Sequence, residues 1–205
     1  VYAVEYFTGA IYRAAAAGEA PASTFPERLS GSGCVEPEDP SQPISGMIPY
    51  GVRHPLWSDG ADKERWLAIP DESFISVGED GDWDFPIGSV LLKQFRVEGV
   101  LVETRLFVRH DDGDWAGYAY LWNEAGTDAV YQRAGARTSV GELEWSLPSS
   151  AQCLQCHTEA AGRTLGLQTS QLNQVFTYPS GRAADQLATL DHIGVFSEPV
   201  VPEGA

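Results

Sequence analysis

One short motif brings together three side chains that could do chemistry. Cys153, Cys156 and His157 form a C-x-x-C-H pattern, which is the attachment signature of c-type haem. Two thiols three residues apart lie on one face of a helical turn, where they can add to the two vinyl groups of a porphyrin. The next residue then projects its imidazole toward the iron as an axial ligand. We therefore expect one covalently bound haem c, held by these three residues.

Two other chemistries use closely spaced cysteines. A thioredoxin-like dithiol opens a helix after a strand, whereas residues 148–152 are typical of a loop that follows β structure. A zinc site needs four ligands, and the third cysteine, Cys34, lies in a distant segment rich in Gly, Pro and Glu. Both alternatives stay open at this point, but the motif favours haem c.

The motif also predicts where the protein works. Covalent haem attachment takes place outside the bacterial cytoplasm, so we expect a periplasmic or extracellular protein. Residues 1–17 lack the cationic start and long apolar core of a signal peptide, so if the protein is exported we expect this sequence to be its mature form. In an oxidising compartment, Cys34 would either pair with another chain or remain a buried free thiol.

The composition limits the classes of partner. The chain has 205 residues, of which 43% are hydrophobic and 20% charged, as in an ordinary globular protein. Thirteen basic and 29 acidic residues give a formal net charge of −16, which argues against nucleic acid or an anionic membrane surface. No apolar run is long enough for a membrane span. We expect a redox partner protein with a basic docking patch, or assembly with other chains.

The motif must be positioned by the rest of the chain, which divides into three segments. Residues 1–49 contain an N-terminal stretch whose near-helical apolar spacing predicts a short helix, followed from residue 21 by a proline-rich arm that we expect to run over the surface. Residues 50–147 form a β domain. Residues 148–205 carry the motif and a helix predicted over 183–193.

The β domain consists of short β-prone runs separated by turns, which predicts an antiparallel sandwich or a barrel-like sheet. The fold class is therefore mainly β, with a short helical segment that bears the haem. Residues 78–82 and 111–114 have the composition of hairpin turns, and the stripe Tyr118, Tyr120 and Trp122 is typical of core packing. The predicted strands are residues 65–69, 73–77, 90–97, 101–109, 116–122, 129–132 and 142–147.

The second axial position of the iron decides between electron transfer and chemistry on a small ligand. The candidates for it are Met47, His54, His110 and His192. His192 is favoured, because the predicted C-terminal helix can fold back over the motif; an open position is the remaining alternative.

Two sets of cations are candidates for binding roles. Arg163 and Arg182 flank the segment after the motif, where they would either neutralise the haem propionates or lie on the surface. Lys63 and Arg65 follow a turn at residues 58–60. That cluster indicates either a docking or binding site, or a turn supported by an ion pair.

Eight sequence blocks spread over most of the chain carry a family resemblance. They are IPY (48–50), PLWSDGADKERWLAIP (55–70), FPIGSVLLKQF (85–95), ETRLFVRH (103–110), WAGYAYLWNEAGTDA (115–129), CLQCH (153–157), LGLQTSQLN (165–173) and DQLATLDHIGVF (185–196). With them the chain resembles a mostly uncharacterised family of secreted bacterial monohaem c-type proteins with a C-terminal C-x-x-C-H motif. Some members look like modules joined to sugar-dehydrogenase-like domains, which implies a haem that accepts electrons from an oxidation done elsewhere. This sequence has no such domain, so we expect it to meet its donor as a separate protein.

Together these observations predict a monohaem c-type cytochrome that transfers electrons outside the cytoplasm. Two alternatives remain. One is a subunit of a larger extracellular redox assembly or filament. The other is a haem enzyme with an open iron site.

Overall fold

Segments rich in β-branched, aromatic and leucine residues between positions 90 and 122 form the three longest strands. The structure is a computed structural model that describes residues 2–4, 11–13 and 25–200. The helices are α1 (Ser150–Cys156), α2 (Thr169–Leu172) and α3 (Gln186–His192). The strands are β1 (Tyr2–Val4), β2 (Ile11–Arg13), β3 (Val35–Glu36), β4 (Asp39–Pro43), β5 (Ile48–Pro49), β6 (Asp62–Ala68), β7 (Ser76–Val77), β8 (Trp83–Asp84), β9 (Val90–Val97), β10 (Val100–Arg109), β11 (Trp115–Trp122), β12 (Ala129–Tyr131), β13 (Ala136–Val140), β14 (Leu143–Leu147), β15 (Val175–Thr177) and β16 (Ala183–Asp185).

Six strands form one antiparallel sheet in the order β12-β11-β10-β9-β6-β5. Its central hairpin, β9–β10, turns at Glu98 and Gly99, which both have the positive φ that a two-residue turn of this kind requires. The mainly β, antiparallel prediction is confirmed. The barrel-like alternative is wrong, because over residues 25–200 the sheet ends at β12 and β5 without closing. The other strands pair two by two.

The first face of the sheet packs against the proline-rich arm. Leu92 and Tyr120 from the sheet are fully buried beside Leu29 and Met47 from the arm. The Tyr120 hydroxyl also donates a hydrogen bond to the carbonyl of Pro26 at 2.8 Å. The described part of the arm is therefore a layer of the core, which corrects the expectation that it runs over the surface. The stripe that includes Tyr120 packs in this core, as predicted.

The second face of the sheet packs against the C-terminal segment. Leu91 and Phe107 from the sheet share a core with Leu187 and Leu190 of α3. Further along the same face, Phe95 packs against Trp145 of β14, with ring centroids 5.6 Å apart. The C-x-x-C-H motif lies on this second face, opposite the arm.

Each of the seven predicted strands overlaps an observed one, and 90–97 matches β9 at both ends. The helix predicted over 183–193 begins only at Gln186, because residues 183–185 pair with β15 and the Asp185 side chain caps the helix by accepting from the Ala188 amide at 2.8 Å. The helical expectation at the N terminus is wrong for residues 2–4 and 11–13, which pair as antiparallel strands. The rest of that stretch lies outside the described residues.

Helices long and apolar enough to cross a bilayer are not found in the described part of the chain.

One buried carboxylate forms hydrogen bonds with two side chains on the second face of the sheet. Glu103 on β10 is 0% exposed and accepts two hydrogen bonds from the Arg105 guanidinium, at 2.5 and 2.9 Å. It also accepts one from the indole Nε1 of Trp145 at 2.9 Å. The Arg105 guanidinium lies 4.5 Å above the Phe95 ring, so the ion pair, the indole and the ring form one unit.

We predict that Glu103→Gln lowers the free energy of unfolding by about 3 kcal/mol, because it leaves the half-buried Arg105 without its charge partner. Glu64→Gln also removes an arginine–carboxylate pair, since Glu64 accepts from Arg96 at 2.9 Å, but the Glu64 carboxylate is half exposed whereas Glu103 is fully buried. This control should cost less than about 1 kcal/mol. Urea denaturation measures both values, and equal losses in the two variants would contradict the structural role given to Glu103.

Candidate functional site

A cavity of about 580 Å³ opens on the second face of the sheet. Its walls are β6, β9 and β10, the loop at residues 50–58 and the segment from α1 to α2. All three motif residues, Cys153, Cys156 and His157, line it. A volume of this size is in the range of small-molecule and cofactor sites.

Local sequence explains why the two motif cysteines lie on a helix. The Ser149 hydroxyl accepts from the Gln152 amide at 3.3 Å, and the Gln152 side chain accepts from the Ser149 amide at 2.8 Å. This reciprocal capping box starts α1 at Ser150. The expected loop over 148–152 is therefore wrong from Ser150 onward, and the S-x-x-Q spacing is the signal that sequence reasoning missed.

The first motif thiol is held closely against the sheet. A Cβ atom at Gly117 on β11 would lie 2.5 Å from Cys153 Sγ and 2.7 Å from Cys153 Cβ. Only glycine therefore allows α1 to approach β11 this closely. Cys153 is half-buried and burial raises the pKa of its thiol, while Cys156, one turn later, is exposed. The two thiols thus lie side by side at the cavity wall, one inside and one toward solvent.

One ring nitrogen of the motif histidine forms a hydrogen bond, and the other is free to bind a ligand. His157 Nδ1 lies 2.6 Å from the carbonyl oxygen of Arg163, and a carbonyl can only accept, so Nδ1 carries the proton. Nε2 has no hydrogen-bond partner among the described residues. Burial lowers the pKa of His157 to about 4, which keeps the ring neutral, and the ring packs on Phe107 with centroids 4.2 Å apart. A neutral imidazole oriented through Nδ1 is the form that ligates a metal through Nε2.

Four of the thirteen basic residues of this acidic protein line the same cavity. Arg65, Lys93 and Arg105 come from three neighbouring strands, and Lys63 lies on β6 two residues before Arg65. Lys63 donates hydrogen bonds to the carbonyl of Leu56 and to the Ser58 hydroxyl, so it ties the 50–58 loop to the sheet. The turn at 58–60 is therefore held by oxygen acceptors, and an ion pair to Lys63 is not found in residues 25–200.

The four candidates for a second axial ligand lie in different places. Met47 is buried on the first face of the sheet. His110 is bonded on that side to the Tyr118 hydroxyl at 2.8 Å. His192 is exposed at the last position of α3 and does not line the cavity. His54 does line it. The structure thus places His54 on the cavity that the motif lines and leaves the favoured His192 outside it.

The two arginines expected near the propionates do not line the cavity either. Arg163 contributes its backbone carbonyl to His157, and its guanidinium lies 3.5 Å from the carbonyl of His157. Arg182 is exposed in the turn between β15 and β16. Sequence reasoning named these two because they follow the motif closely, whereas the cavity cations are more than 40 residues away in the sequence.

Neither a family model, nor a curated protein, nor a solved structure matches the chain. Within the described residues, no three His, Cys, Asp or Glu side chains converge to hold a metal ion. Cys34 cannot serve as a third thiolate ligand in a zinc site at the motif, since it packs on the other face of the sheet. Haem iron does not need such a cluster, because the porphyrin supplies four nitrogens and the protein only the axial ligands.

We predict that Gly117→Ala lowers the free energy of unfolding by about 2 kcal/mol, because the added methyl overlaps Cys153 and forces α1 away from β11. Gly46→Ala is the control: an added Cβ there meets nothing within 4 Å, and stability should change by less than about 0.5 kcal/mol. Urea denaturation of both variants without haem measures this difference. Equal stabilities would mean that α1 does not depend on the missing side chain.

Proposed function

We propose that this protein is a monohaem c-type cytochrome that transfers electrons outside the cytoplasm. The observation that carries the proposal is the hydrogen bond from His157 Nδ1 to the Arg163 carbonyl. It leaves Nε2 free on a histidine that directly follows two thiols spaced one helical turn apart at a cavity wall. A redox dithiol has no need of an oriented, neutral imidazole at this position.

The residues at the cavity fit each part of a haem. Cys153 and Cys156 would form the two thioether bonds, and His157 would be the first axial ligand. When bound, haem supplies an iron that alternates between the ferric and ferrous states. The chain orients this group, shields it from water with Leu91 and Phe107, and fixes the ligand that tunes its potential.

Two exposed apolar side chains at the cavity support a large apolar occupant. Leu56 and Trp57 line the cavity, yet their exposed fractions are 71% and 81%. Adjacent large side chains left this open to water are unusual and mark a binding surface. A porphyrin in the cavity would cover apolar surface that the chain alone leaves exposed.

His54 is the side chain best placed to supply a second axial ligand. Its backbone amide donates to the Gln171 side chain at 2.9 Å, and the amide of Arg53 donates to the Gln171 carbonyl at 2.9 Å. Gly51 lies three residues before His54, and its backbone amide and carbonyl both form hydrogen bonds with the buried side chain of Gln186. These bonds anchor the part of the loop that carries His54. We therefore assign the second ligand to His54 in place of His192.

The charge distribution supports a basic redox partner. The four cavity cations are gathered at one place, so the rest of the surface is more acidic than the net charge of −16 implies. Such a surface steers a positively charged partner toward it and repels other acidic proteins.

We predict that haem stays attached when the holoprotein is denatured and extracted with acid acetone, and that the intact mass includes one haem per chain. The paired substitution Cys153→Ala and Cys156→Ala should abolish covalent attachment. Cys34→Ala is the matched control and should keep the haem, because Cys34 lies behind the sheet. Extraction of all haem from the unmodified chain would refute the proposed function.

We predict that His54→Ala converts the ferrous holoprotein from six-coordinate low-spin to a form that binds carbon monoxide, because the second ligand is lost. His192→Ala should leave the optical spectrum unchanged, since His192 does not line the cavity. Carbon monoxide binding by the unmodified ferrous protein would instead indicate an open site and favour the haem-enzyme alternative. A spectrum altered by His192→Ala alone would overturn the assignment to His54.

A further inference from the structure

Three cations form a straight row across the second face of the sheet. Strand register places Arg65 of β6 opposite Lys93 of β9, and Lys93 opposite Arg105 of β10. Paired strands lie about 4.8 Å apart, so the three side chains start from neighbouring positions on one face. We call Arg65, Lys93 and Arg105 the cation row.

The cation row lies directly beside the residues that hold the motif. The next register row on the same face contains Phe107 and Gly117, which contact His157 and Cys153 respectively. Side chains two residues apart on a strand share a face, so Arg105 and Phe107 are adjacent there. The positive charges of Lys93 and Arg105 are close enough to His157 to contribute to its lowered pKa.

The charges of the row are only partly balanced by the chain. Glu103 pairs with Arg105. Ion pairs to Arg65 or Lys93 are not found among residues 25–200, and Lys93 also lacks a side-chain hydrogen bond there. Asp82, the carboxylate that does line the cavity, lies against Gly162 in the turn after the motif. The Arg65 guanidinium donates a hydrogen bond to the Lys63 carbonyl at 3.2 Å, but within residues 25–200 the charges of Arg65 and Lys93 have no anionic partner.

These unpaired charges destabilise the folded chain when the cavity holds no anion. Burial, together with the nearby positive charges of Arg65, Arg105 and Lys63, lowers the pKa of Lys93 to about 7, and the negative charge of Glu103 opposes this shift only in part. An apolar side chain at position 93 would fit the strand without this cost. A lysine at the floor of a cavity is therefore explained best by an anionic group that enters the cavity.

We propose that the cation row binds a pair of carboxylates, namely the two propionates of the haem, with Arg65 and Lys93 as the direct partners and Arg105 held in place by Glu103. This assignment rests on the proposed function. Two carboxylates match the two unpaired charges in number and sign. The planar guanidinium of Arg65 suits bidentate binding of a carboxylate, and the Lys93 ammonium suits a single strong contact. A free dicarboxylic acid offers the same chemistry, so the test separates the two sources.

The test uses the full chain with Cys153→Ala and Cys156→Ala, so that porphyrins bind reversibly. This parent is titrated with haemin and with haemin dimethyl ester, whose propionates are uncharged. We expect haemin to bind about tenfold or more tightly than the ester. Lys93→Met and Arg65→Met, each added to the parent, should reduce this preference to about twofold or less. Arg96→Met removes a cation from the same strand as Lys93 but from the opposite face of the sheet, where Arg96 pairs with Glu64, and it should keep the full preference.

The outcomes separate the two proposals. Equal binding of haemin and its ester by the parent, or a full preference retained in both Lys93→Met and Arg65→Met, overturns the role of the cation row. Binding of succinate by the parent that Lys93→Met abolishes, together with equal binding of haemin and ester, would assign the row to a free dicarboxylate instead. Covalent attachment in the unmodified chain is measured independently, so its failure would refute the cytochrome itself. Lys93→Met removes a buried charge and should not impair folding, which urea denaturation verifies.

Discussion

The positive charge on the second face of the six-stranded sheet constrains the rest of this structure. Water solvates cations better than a protein interior does, so a buried Lys or Arg persists only where other groups compensate it. In this chain the compensation is partial. Glu103 forms an ion pair with Arg105, and Lys63 donates hydrogen bonds to carbonyl and hydroxyl oxygens of the 50–58 loop. Arg65 and Lys93 face the cavity instead. The site is therefore a charged floor with apolar walls, a combination that suits an amphipathic anion such as a porphyrin carrying carboxylates.

The six-stranded sheet also works as a partition. Successive residues of a strand point to opposite faces, so one strand supplies both the core beneath the proline-rich arm and the floor of the cavity. β9 shows this most clearly, with Leu92 directed to the arm and the adjacent Lys93 directed to the motif. The same alternation separates the candidate ligands. Met47 and His110 lie with the arm, and a sheet with both faces covered gives them no path to His157.

Local sequence signals predicted much of this fold. Alternation and turn composition were sufficient for seven strands, because each depends on residues within a few positions of one another. The motif likewise needs only five consecutive residues. Helix ends were harder: α3 starts at Gln186 because residues 183–185 are taken up by pairing with β15, a tertiary contact that overrides the apolar periodicity.

The cavity was beyond such local reasoning. Arg65, Lys93 and Arg105 lie 28 and 12 residues apart along the chain, and only strand register makes them neighbours. One local clue was present, namely a lysine at position 93 between the apolar residues of a strand that is otherwise mostly buried. The need for glycine at position 117 had no such clue, since it depends on a helix that follows more than 30 residues later.

The position of Cys34 has a consequence for oxidative folding. Three thiols can form three different disulfides, and two of those would join Cys34 to the motif and disable it. A disulfide requires Cα atoms within about 7 Å of each other, and in the folded protein the sheet stands between Cys34 and the other two cysteines. Burial also raises the pKa of the Cys34 thiol, which suppresses the thiolate that thiol–disulfide exchange requires. Once the sheet has formed, Cys153 and Cys156 are thus protected from mispairing with Cys34, so this mispairing is avoided when the sheet folds before the thiols are oxidised.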